Sequence, residues 1–456
     1  MPNPKIISLR VFLTLLLLSA ASCAQLPSSS KNQPGLSILQ LASLEDRAEF
    51  NVLAHRSWPL EVLVKRPDGS ALAPERHDQS QWEDSPWVIH HLLFTGLQHS
   101  EEELHRLVVR ARGSVLDERE FGTFRVQGQG LRFAVGSCAD QRSADTPIWQ
   151  SISDRRPEWF FFIGDNAYVT LTPVSSAREL WERHAAARQQ IGLYRWQRLI
   201  PVHAVWDDND YGLNNGGAEF ALRDAAQEIY RSFFLPRFDH PQLARGPGLA
   251  TRLSLRGMHF HFLDNRSFRS ADPEGEHLGA EQTKWLFEDL AQSQLPSWLL
   301  MGDQFFGGHH GFESFEGSHP RAFEAFVTGL KGQSTPFVMV SGDRHLSEVM
   351  QFPRSLLGQL SFEFTTSPLH ARTYPGNAEK YPNPWRVKIS DDSEAFMLFE
   401  TGLRESSWGI ALEAIDPAGR TLFGRDLSLT TEALKDFTIE PSGQQRRRYR
   451  RARWRR

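Results

Sequence analysis

The sequence predicts an α/β fold in which a small all-β sandwich precedes a larger domain of alternating strands and helices. Between residues 36 and 126, short apolar and polar stretches alternate and are separated by turn residues, as is typical of a β-sandwich. From Leu131 onward, short apolar runs alternate with helical patterns, which indicates a layered α/β structure. The 456 residues have room for both parts and for a large core. We therefore predict a sandwich domain over 36–126 and an α/β domain over 131–430.

The N-terminal segment predicts export. Two basic residues precede an apolar run over 11–18, which is too short to span a membrane and is typical of a signal peptide. The Ala-Ala-Ser-Cys that follows resembles a bacterial lipobox, which implies cleavage before Cys23 and lipidation of its thiol. The alternative is ordinary signal-peptidase cleavage after Ala24. We predict a signal peptide over 1–23, a flexible tether over 24–35, and a lipoprotein or a free protein on the periplasmic side of a bacterial envelope.

The strands of the sandwich are predicted from alternation and from turn residues. The strand candidates are 60–64, 87–94, 107–111 and 116–124. Pro67-Asp68-Gly69 supplies a turn after the first of them. No cluster of reactive side chains accompanies these strands, so we predict a packing or recognition module.

The elements of the α/β domain follow from apolar runs that end at turn residues and from helical periodicity. The strand candidates are 132–138, 159–166, 202–206, 258–266, 298–304, 337–345 and 360–366. The helix candidates are 178–190 and 279–292. Residues 396–429 return to a β pattern, with a hairpin turn at 416–419.

The stretch PVHAVWDDNDYGLNN at 201–215 carries the densest group of oxygen ligands. An apolar strand candidate runs directly into Asp207, Asp208 and Asp210. Carboxylates this close together repel each other unless a cation or protons neutralise them. The pattern therefore indicates a metal site, although Asp and Asn also form ordinary turns.

Five strand candidates of this domain end in aspartate. These aspartates are Asp165, Asp207 with Asp208, Asp264, Asp303 and Asp343. Glycine precedes three of them, which permits close approach of backbone or ligand. If the strand ends converge at one sheet edge, they form a site for several metal ions. Cys138 also ends a strand, and it has no disulfide partner if Cys23 is lipidated or removed, so we consider it a reactive thiol or a ligand.

These residues resemble the PhoD-like alkaline phosphatase family (alkaline phosphatase D), within the calcineurin-like metallophosphoesterases. The matching segments are Gly136-Ser137-Cys138, Gly164-Asp165-Asn166-Ala167-Tyr168, Trp206-Asp207-Asp208-Asn209-Asp210-Tyr211-Gly212-Leu213-Asn214, Leu263-Asp264-Asn265-Arg266, Gly311-Phe312-Glu313-Ser314-Phe315, Ser341-Gly342-Asp343-Arg344-His345 and Thr365-Thr366-Ser367-Pro368. The segments occur in the order of the family and extend over most of 131–368. The preceding β region also resembles the N-terminal domain of the family.

The resemblance implies a two-layered β-sheet core flanked by helices, and a cluster of iron and calcium that binds the phosphate of the substrate. By position, Cys138 would ligate iron and Asp165 would bridge the metals. The remaining implied ligands are Asp208, Asn214, Asp343 and His345. The implied activity is hydrolysis of phosphomonoesters or phosphodiesters by a metal-activated hydroxide. Iron accepts thiolate and imidazole, whereas calcium prefers carboxylate and amide oxygens, so the residue types agree with these metals.

Two positions depart from the family pattern. The family usually has histidine at Asn209, a position associated with protonation of the leaving group, and asparagine is not a general acid. Asparagine can still donate a hydrogen bond to a phosphate oxygen. The family also has an iron-ligating tyrosine on the helix after Gly-Asp, and His184 aligns near it. His184 is therefore a candidate ligand, and the alternative is a histidine on the helix surface.

The other site candidates are polar residues within the matching segments. Asn209, Asp210 and Arg266 are the catalytic candidates, and Asn166, Arg269 and Arg344 are the candidates for substrate binding. A guanidinium can bind phosphate through two parallel hydrogen bonds. For Arg266 and Arg269, the alternative is a structural ion pair with Asp264.

The C-terminal segment 440–456 is a separate, strongly basic feature. Eight of the last eleven residues are arginine, so the rest of the chain is more acidic than the net charge of −4. With interleaved Tyr449 and Trp454, the segment could bind anionic lipid or lipopolysaccharide, or be a solvated tail. We expect no nucleic-acid partner. Two other functions remain open: a weakly active phosphate-binding family member at the cell envelope, and a phosphodiesterase that acts on phospholipids or envelope polymers.

Overall fold

The computed structural model describes residues 35–100, 103–128, 130–144, 146–404 and 407–430. The predicted signal peptide, the lipidation site Cys23, nearly all of the tether and the arginine-rich segment lie outside these ranges. Within them, no helix combines the length and the apolar composition that a membrane span requires.

Residues 37–121 form two four-stranded antiparallel sheets. Their strands are β1 (Ser37–Gln40), β2 (Ala48–His55), β3 (Leu60–Lys65), β4 (Ala71–Leu72), β5 (Arg76–Gln81), β6 (Trp87–Phe94), β7 (His105–Ala111) and β8 (Ser114–Phe121). One sheet has the order β1-β2-β6-β5 and the other β4-β3-β7-β8. The two sheets share a hydrophobic core, in which Phe50 packs edge-on against Phe121 at 4.8 Å between ring centroids. The predicted sandwich is confirmed.

The rest of the described chain forms two larger sheets and nine α-helices. Its strands are β9 (Leu131–Gly136), β10 (Trp159–Ile163), β11 (Val202–Val205), β12 (Leu243–Arg245), β13 (Thr251–Leu255), β14 (Met258–Phe262), β15 (Ser297–Leu300), β16 (Phe337–Ser341), β17 (Ser347–Phe352), β18 (Ser361–Thr365), β19 (Arg386–Ser390), β20 (Phe396–Arg404), β21 (Ser407–Ile415) and β22 (Thr421–Thr430). Its helices are α1 (Ile148–Asp154), α2 (Ala177–Gln190), α3 (Asp208–Tyr211), α4 (Arg223–Phe234), α5 (Ala280–Gln292), α6 (Phe315–Ser318), α7 (Pro320–Lys331), α8 (Arg354–Leu357) and α9 (Asn377–Lys380). Two 3₁₀ turns lie at Gln141–Ser143 and Gly192–Arg195.

The two large sheets pack face to face. The six-stranded sheet has the order β11-β10-β9-β20-β21-β22, and the eight-stranded sheet has the order β12-β13-β14-β15-β16-β18-β17-β19. Aromatic rings join them: Phe133 of β9 contacts Phe260 of β14 at 5.5 Å and Trp298 of β15 at 5.1 Å between centroids. Helices α5 and α7 cover the outer face of the larger sheet with their own apolar core. This arrangement confirms the predicted two-layered β-sheet core flanked by helices.

The parallel parts of both sheets direct their carboxyl ends to one edge. Strands β9, β10 and β11 are parallel neighbours in one sheet. Strands β14, β15, β16 and β18 are parallel neighbours in the other. The residues that follow these strands include all six aspartates of the five predicted strand ends, so the sheet topology assembles the polar site.

A buried carboxyl joins the sandwich to the α/β domain. Glu49 of β2 is 2% exposed, and its carboxylate accepts the main-chain N–H of Arg237. Burial raises the pKa of Glu49 from 4.5 to about 8. A carboxyl whose pKa is raised by folding stabilises the fold below its unfolded pKa, and this contribution is lost as the pH rises through the folded pKa.

We therefore expect Glu49→Gln to flatten the alkaline loss of stability. The amide keeps an acceptor for Arg237 but does not ionise, so the free energy of unfolding should fall less between pH 6 and pH 9 than it does in the parent protein. Denaturant unfolding at a series of pH values measures this slope. Glu61→Gln, at an exposed position of β3, is the matched control. Equal slopes in all three proteins would contradict the assignment.

Candidate metal centre

Three glycines bring the strand ends into contact. A Cβ on Gly164 would lie 2.8 Å from the Cβ of Asp207 and 2.9 Å from the Cα of Gly302. A Cβ on Gly342 would lie 2.7 Å from the main-chain oxygen of Ile163 and 2.8 Å from that of Gly302. Side-chain carbons do not approach backbone this closely, so glycine is required here. The glycines before Asp165, Asp303 and Asp343 thus provide the close backbone approach that the sequence predicted.

Cys138, Asp165 and His345 form the first metal-competent group. One ligand atom from each of the three lies within 4.8 Å of the others. They follow β9, β10 and β16, so the group joins the two sheets. Cys138 is fully buried, has no disulfide, and its Sγ accepts a hydrogen bond from Ser367 Oγ at 3.0 Å.

Asp165, Asp207 and Asp208 form the second group, within the same distance limit. All three are buried, and they follow the neighbouring strands β10 and β11. Asp165 belongs to both groups, so it is the residue that would be shared if both held an ion. Asp207, which belonged to the predicted set of strand-end aspartates but not to the ligands implied by the family resemblance, is a member of this group.

The backbone at the site is strained. Cys138, Asp165, Asp343 and His345 all have positive φ angles, between 52° and 59°. Residues other than glycine rarely adopt this region, and such strain concentrates at functional sites. Four of the seven predicted ligands therefore share an unusual conformation.

The electrostatics of the site favour a bound cation. Burial raises the pKa of the Cys138 thiol well above its usual range, and Asp165 and Asp343 raise it further. Burial, Asp208 and Asp207 likewise raise the pKa of Asp165. Burial and Asp208 raise the pKa of Asp343 to about 7. A metal ion would reverse these shifts, because it stabilises the thiolate and the carboxylates.

One carboxylate oxygen of the second group has no partner. Asp207 Oδ1 accepts hydrogen bonds from Arg266 Nε at 2.7 Å and from Asn265 Nδ2 at 2.8 Å. Asp207 Oδ2 is buried and has no hydrogen-bond partner among the described residues. An orphaned anionic oxygen beside two further carboxylates fits a hard cation such as calcium, and thiolate with imidazole fits iron.

His345 is oriented for ligation. Its Nδ1 bonds to the main-chain oxygen of Arg372, which can only accept, so Nδ1 carries the proton. Nε2 of the neutral ring therefore carries the lone pair, which accepts the hydroxyl of Tyr168 at 3.1 Å and would bind a metal ion only in place of this hydrogen bond. Such a bond on the distal nitrogen is typical of metal-binding histidines. The sequence analysis included Tyr168 in a segment that resembles the family but assigned it no role. Its position three residues after Asp165 could have indicated that it lies at the site.

Asn209 lies at the centre of the site. Its Nδ2 donates to Asp165 Oδ2 at 3.0 Å and to Asp208 Oδ1 at 3.2 Å, and its Oδ1 accepts the hydroxyl of Thr170. Asp210 faces away from these oxygens. Its Oδ1 accepts the N–H of Ala167 at 2.9 Å and its Oδ2 that of Asp207 at 3.1 Å. Asp210 thus forms a capping box that holds the Asp207–Asp208 turn.

Two predicted ligands, His184 and Asn214, are not members of the two groups. His184 of α2 is buried, with Nε2 3.0 Å from the main-chain oxygen of Asp210 and its ring against Phe233. It is not on the helix surface, and it belongs to neither of the two groups found among the described residues. Asn214 is exposed in the loop whose next residue, Asn215, donates its N–H to Asp208 Oδ2 at 2.8 Å. Asn166 donates its amide to Val205 and Tyr230, and leaves its Oδ1 buried without a partner in the described chain.

Arg266 and Arg269 form buried ion pairs. Arg266 is fully buried between Asp207 and Glu313, and its Nη2 lies 2.7 Å from Glu313 Oε2. Arg269 pairs with the same Glu313 and with Asp303. The carboxylate partner is not Asp264, which instead accepts N–H groups of Leu249, Arg266 and Ser267 in its own turn. Glu313, in a distant loop, was missed as the partner.

Arg344 differs from these two arginines. It is 6% exposed and lies beside Asp343, and its guanidinium stacks on Phe312 at 4.3 Å from the ring centroid. In the described part of the chain, it makes no salt bridge with a carboxylate. Of the three arginines predicted to bind phosphate or to act in catalysis, Arg344 is the one whose guanidinium forms no ion pair with a carboxylate of the described chain.

Comparison with known proteins agrees with this geometry. Alkaline phosphatase D of Bacillus subtilis (strain 168) is 22% identical over 308 residues, which cover 54% of this chain and 50% of that protein. The match thus spans about half the length of the curated relative. A solved structure titled "Structure of PhoD" has a TM-score of 0.68 at 17% identity, with 94% of this chain and 98% of that chain covered. This likeness shows the same fold.

A family model supplies the assignment. The model described as PhoD-like phosphatase matches residues 133–404, which include every residue of the two metal-competent groups. The matched region is more than half of the chain. The protein therefore belongs to the PhoD-like phosphatase family.

Proposed function

We propose that the protein is an exported, metal-dependent phosphoesterase that hydrolyses phosphomonoesters or phosphodiesters. Membership of the PhoD-like phosphatase family supports a phosphoesterase. The observation that carries the proposal is the pair of ligand groups that share Asp165, with the unpaired guanidinium of Arg344 beside them. Two adjacent cation sites, beside a guanidinium that pairs with no carboxylate in the described part of the chain, form a centre suited to a phosphate dianion or diester.

The donor sets suggest which metal occupies each group. We assign iron to Cys138, Asp165 and His345, because thiolate and imidazole are ligands for a transition metal. We assign calcium to Asp165, Asp207 and Asp208, where the ligands are carboxylates and Asp207 Oδ2 is orphaned. Asp343 and Asn214 remain further ligand candidates.

The residues of the chain bind and orient the ester. Metal ions at these sites would lower the pKa of a bound water and neutralise the charge that develops on phosphorus. Arg344 binds a phosphate oxygen, since its guanidinium is held in place by Phe312 and is not paired with a carboxylate. Asn209 holds Asp165 and Asp208 in position, and its amide cannot protonate a leaving group. The leaving group therefore takes its proton from water, which favours esters with acidic leaving groups.

The experiment that tests the proposal uses the purified full chain. Elemental analysis should find iron and calcium at stoichiometric levels. Hydrolysis of 4-nitrophenyl phosphate and bis(4-nitrophenyl) phosphate should then be lost after chelation and return when the metals are added. Stoichiometric metal without turnover of either ester would favour the second candidate, a phosphate-binding protein with little activity, which the amide at Asn209 supports. Absence of both metal and turnover would contradict both candidates.

We expect Asn209→His to increase turnover of esters with poor leaving groups. A histidine beside Asp165 and Asp208 can act as general acid, which typically contributes about 10²-fold or more. The increase in kcat should be large for an alkyl ester and small for a 4-nitrophenyl ester, because 4-nitrophenolate leaves without protonation. Asn209→Gln, which keeps an amide, is the control. An equal change for both esters would exclude a role in protonation.

We also propose the location and partners that the sequence predicts. Export with lipidation at Cys23 would place the enzyme on the envelope, and the arginine-rich C-terminal segment would bind anionic lipid or lipopolysaccharide. Substitution of Cys23 with serine should release the protein from the membrane fraction if the lipid anchor exists. On such a surface, phospholipids or envelope polymers would be accessible substrates.

A further inference from the structure

Exposed large apolar side chains concentrate around the metal centre. The described residues contain five of them, Val115, Leu171, Leu213, Phe312 and Tyr374. Val115 lies on β8 of the sandwich. Each of the other four lies in a loop that touches the site. Leu171 follows Thr170, which donates to Asn209, and Leu213 lies in the loop that closes on Asp208.

Tyr374 lies directly outside His345. The two ring centroids are 5.6 Å apart at an interplanar angle of 33°, and 42% of the tyrosine remains exposed. Arg372 and Thr373, which precede Tyr374 in the chain, line an open cavity of about 680 Å³ whose other lining residues are mostly charged. Neither Tyr374 nor a ligand of the first group lines this cavity, so the exposed face of the Tyr374 ring is itself the surface that an organic group could contact.

Phe312 occupies the matching position outside Arg344. Its ring lies 4.3 Å from the guanidinium carbon of Arg344 and is 43% exposed. The loop that carries it is fixed, because the neighbouring Glu313 pairs with Arg266 and Arg269. Two consecutive residues of the site, Arg344 and His345, thus each have an exposed aromatic ring on their outer side.

We propose that Phe312 and Tyr374 bind the organic group of the substrate, so that the enzyme selects phosphate esters with an aromatic or similarly apolar group. The inference rests on the proposed function, because the phosphate is taken to lie on the metals and on Arg344. The exposed faces of these rings donate no hydrogen bond to phosphate, whereas an apolar or planar group beside the phosphate would be removed from water on them.

The test compares two non-hydrolysable ligands that differ only in the organic group. Phenylphosphonate and methylphosphonate have the same anionic head, so the ratio of their inhibition constants measures the contribution of the ring. The metal-loaded full chain should bind phenylphosphonate more tightly. Phe312→Ala and Tyr374→Ala should each reduce this preference by about three- to tenfold. Tyr374→Ala should leave the inhibition constant of methylphosphonate within about twofold, which also shows that this variant is folded. Phe312→Ala should in addition weaken the binding of both phosphonates, because Phe312 also holds the guanidinium of Arg344, so its effect on the organic group is taken from the ratio alone.

Control variants separate the possible outcomes. Val115→Ala, an exposed apolar residue of the sandwich, should leave the preference unchanged. Tyr374→Leu tests whether apolar area alone is sufficient. If this variant still prefers octylphosphonate to methylphosphonate but no longer prefers phenylphosphonate to methylphosphonate, the tyrosine ring acts by stacking. If the parent protein binds both phosphonates equally, the inference fails and the phosphoesterase remains. If it binds neither and hydrolyses no ester, the proposed function fails as well.

Discussion

Replacement of Asp165 with asparagine is expected to reduce phosphoesterase activity by about 10³-fold or more and to remove metal from both sites. Asp165 is the one residue that both ligand groups share. Its two oxygens can serve two cations because the carboxylate charge is delocalised over both. The amide has one neutral oxygen, so a bridging role is no longer available.

The fold should tolerate this substitution. Asp165 has a φ of 54°, and asparagine adopts this left-handed region about as readily as aspartate. Burial and the neighbouring carboxylates raise the pKa of Asp165, which means that its negative charge is unfavourable when no cation is present. The metal-free variant should therefore unfold at the same denaturant concentration as the metal-free parent, or at a higher one.

Elemental analysis, activity and denaturant unfolding together decide the result. The control is Asp224→Asn, the same change at an exposed position in the first turn of α4, and it should retain metal and activity. A fully loaded and active Asp165→Asn protein would show that the two groups do not share a bridging ligand. Loss of activity together with loss of folding would instead indicate that the aspartate has a structural role.

The sequence predicted most of the strands that lead to the site, but it missed the buried and largely apolar strand β2 of the sandwich. The strand Trp87–Phe94 was found with its observed bounds, and the core strands that end at Asp165 and Asp343 were found within a few residues. The strand Arg76–Gln81 was missed because its residues, RHDQSQ, are all polar and lie at a sheet edge. Helix α4, Arg223–Phe234, was missed although its buried face is apolar.

The ligands at strand ends were predictable for a topological reason. Neighbouring parallel strands deliver their carboxyl ends to one edge, so a residue type at the end of a strand specifies its place in space. Cys138, Asp165 and His345 were assigned in this way with the help of the family resemblance, and the structure brings them together. Which of Asp207 and Asp208 belongs to the ligand group depends on the backbone turn after β11. The sequence pattern does not specify that turn.

The roles of the arginines could not be predicted, because their partners come from a loop. Glu313 lies 47 residues after Arg266, and no periodicity connects the two. Sequence reasoning therefore compared phosphate binding only with an ion pair to the nearby Asp264. In the structure, Glu313 and Asp207 occupy the guanidinium of Arg266, while Arg344 makes its stacking contact with Phe312.

These contacts lead to the second large expected effect, in which Arg266→Met lowers the free energy of unfolding by about 3–5 kcal/mol at neutral pH. Methionine keeps much of the aliphatic length but leaves Asp207 as a buried charge without its cation and Glu313 paired with Arg269 alone. The deficit should become smaller as the pH falls, because protonation of Asp207 removes the unpaired charge. Denaturant unfolding of the metal-free proteins at several pH values measures both effects.

Arg344→Met is the control that separates stability from substrate binding. The parent Arg344 has no carboxylate partner among the described residues, so its loss should cost little stability and should mainly raise KM for phosphate esters. Equal destabilisation by the two substitutions would contradict the ion-pair role of Arg266. If Arg266→Met instead remained stable and lost only phosphate affinity, Arg266 would be a substrate-binding residue, as the sequence first suggested. The two arginines are buried to a similar extent at one site. The comparison of their methionine variants therefore shows which guanidinium stabilises the fold and which binds the substrate.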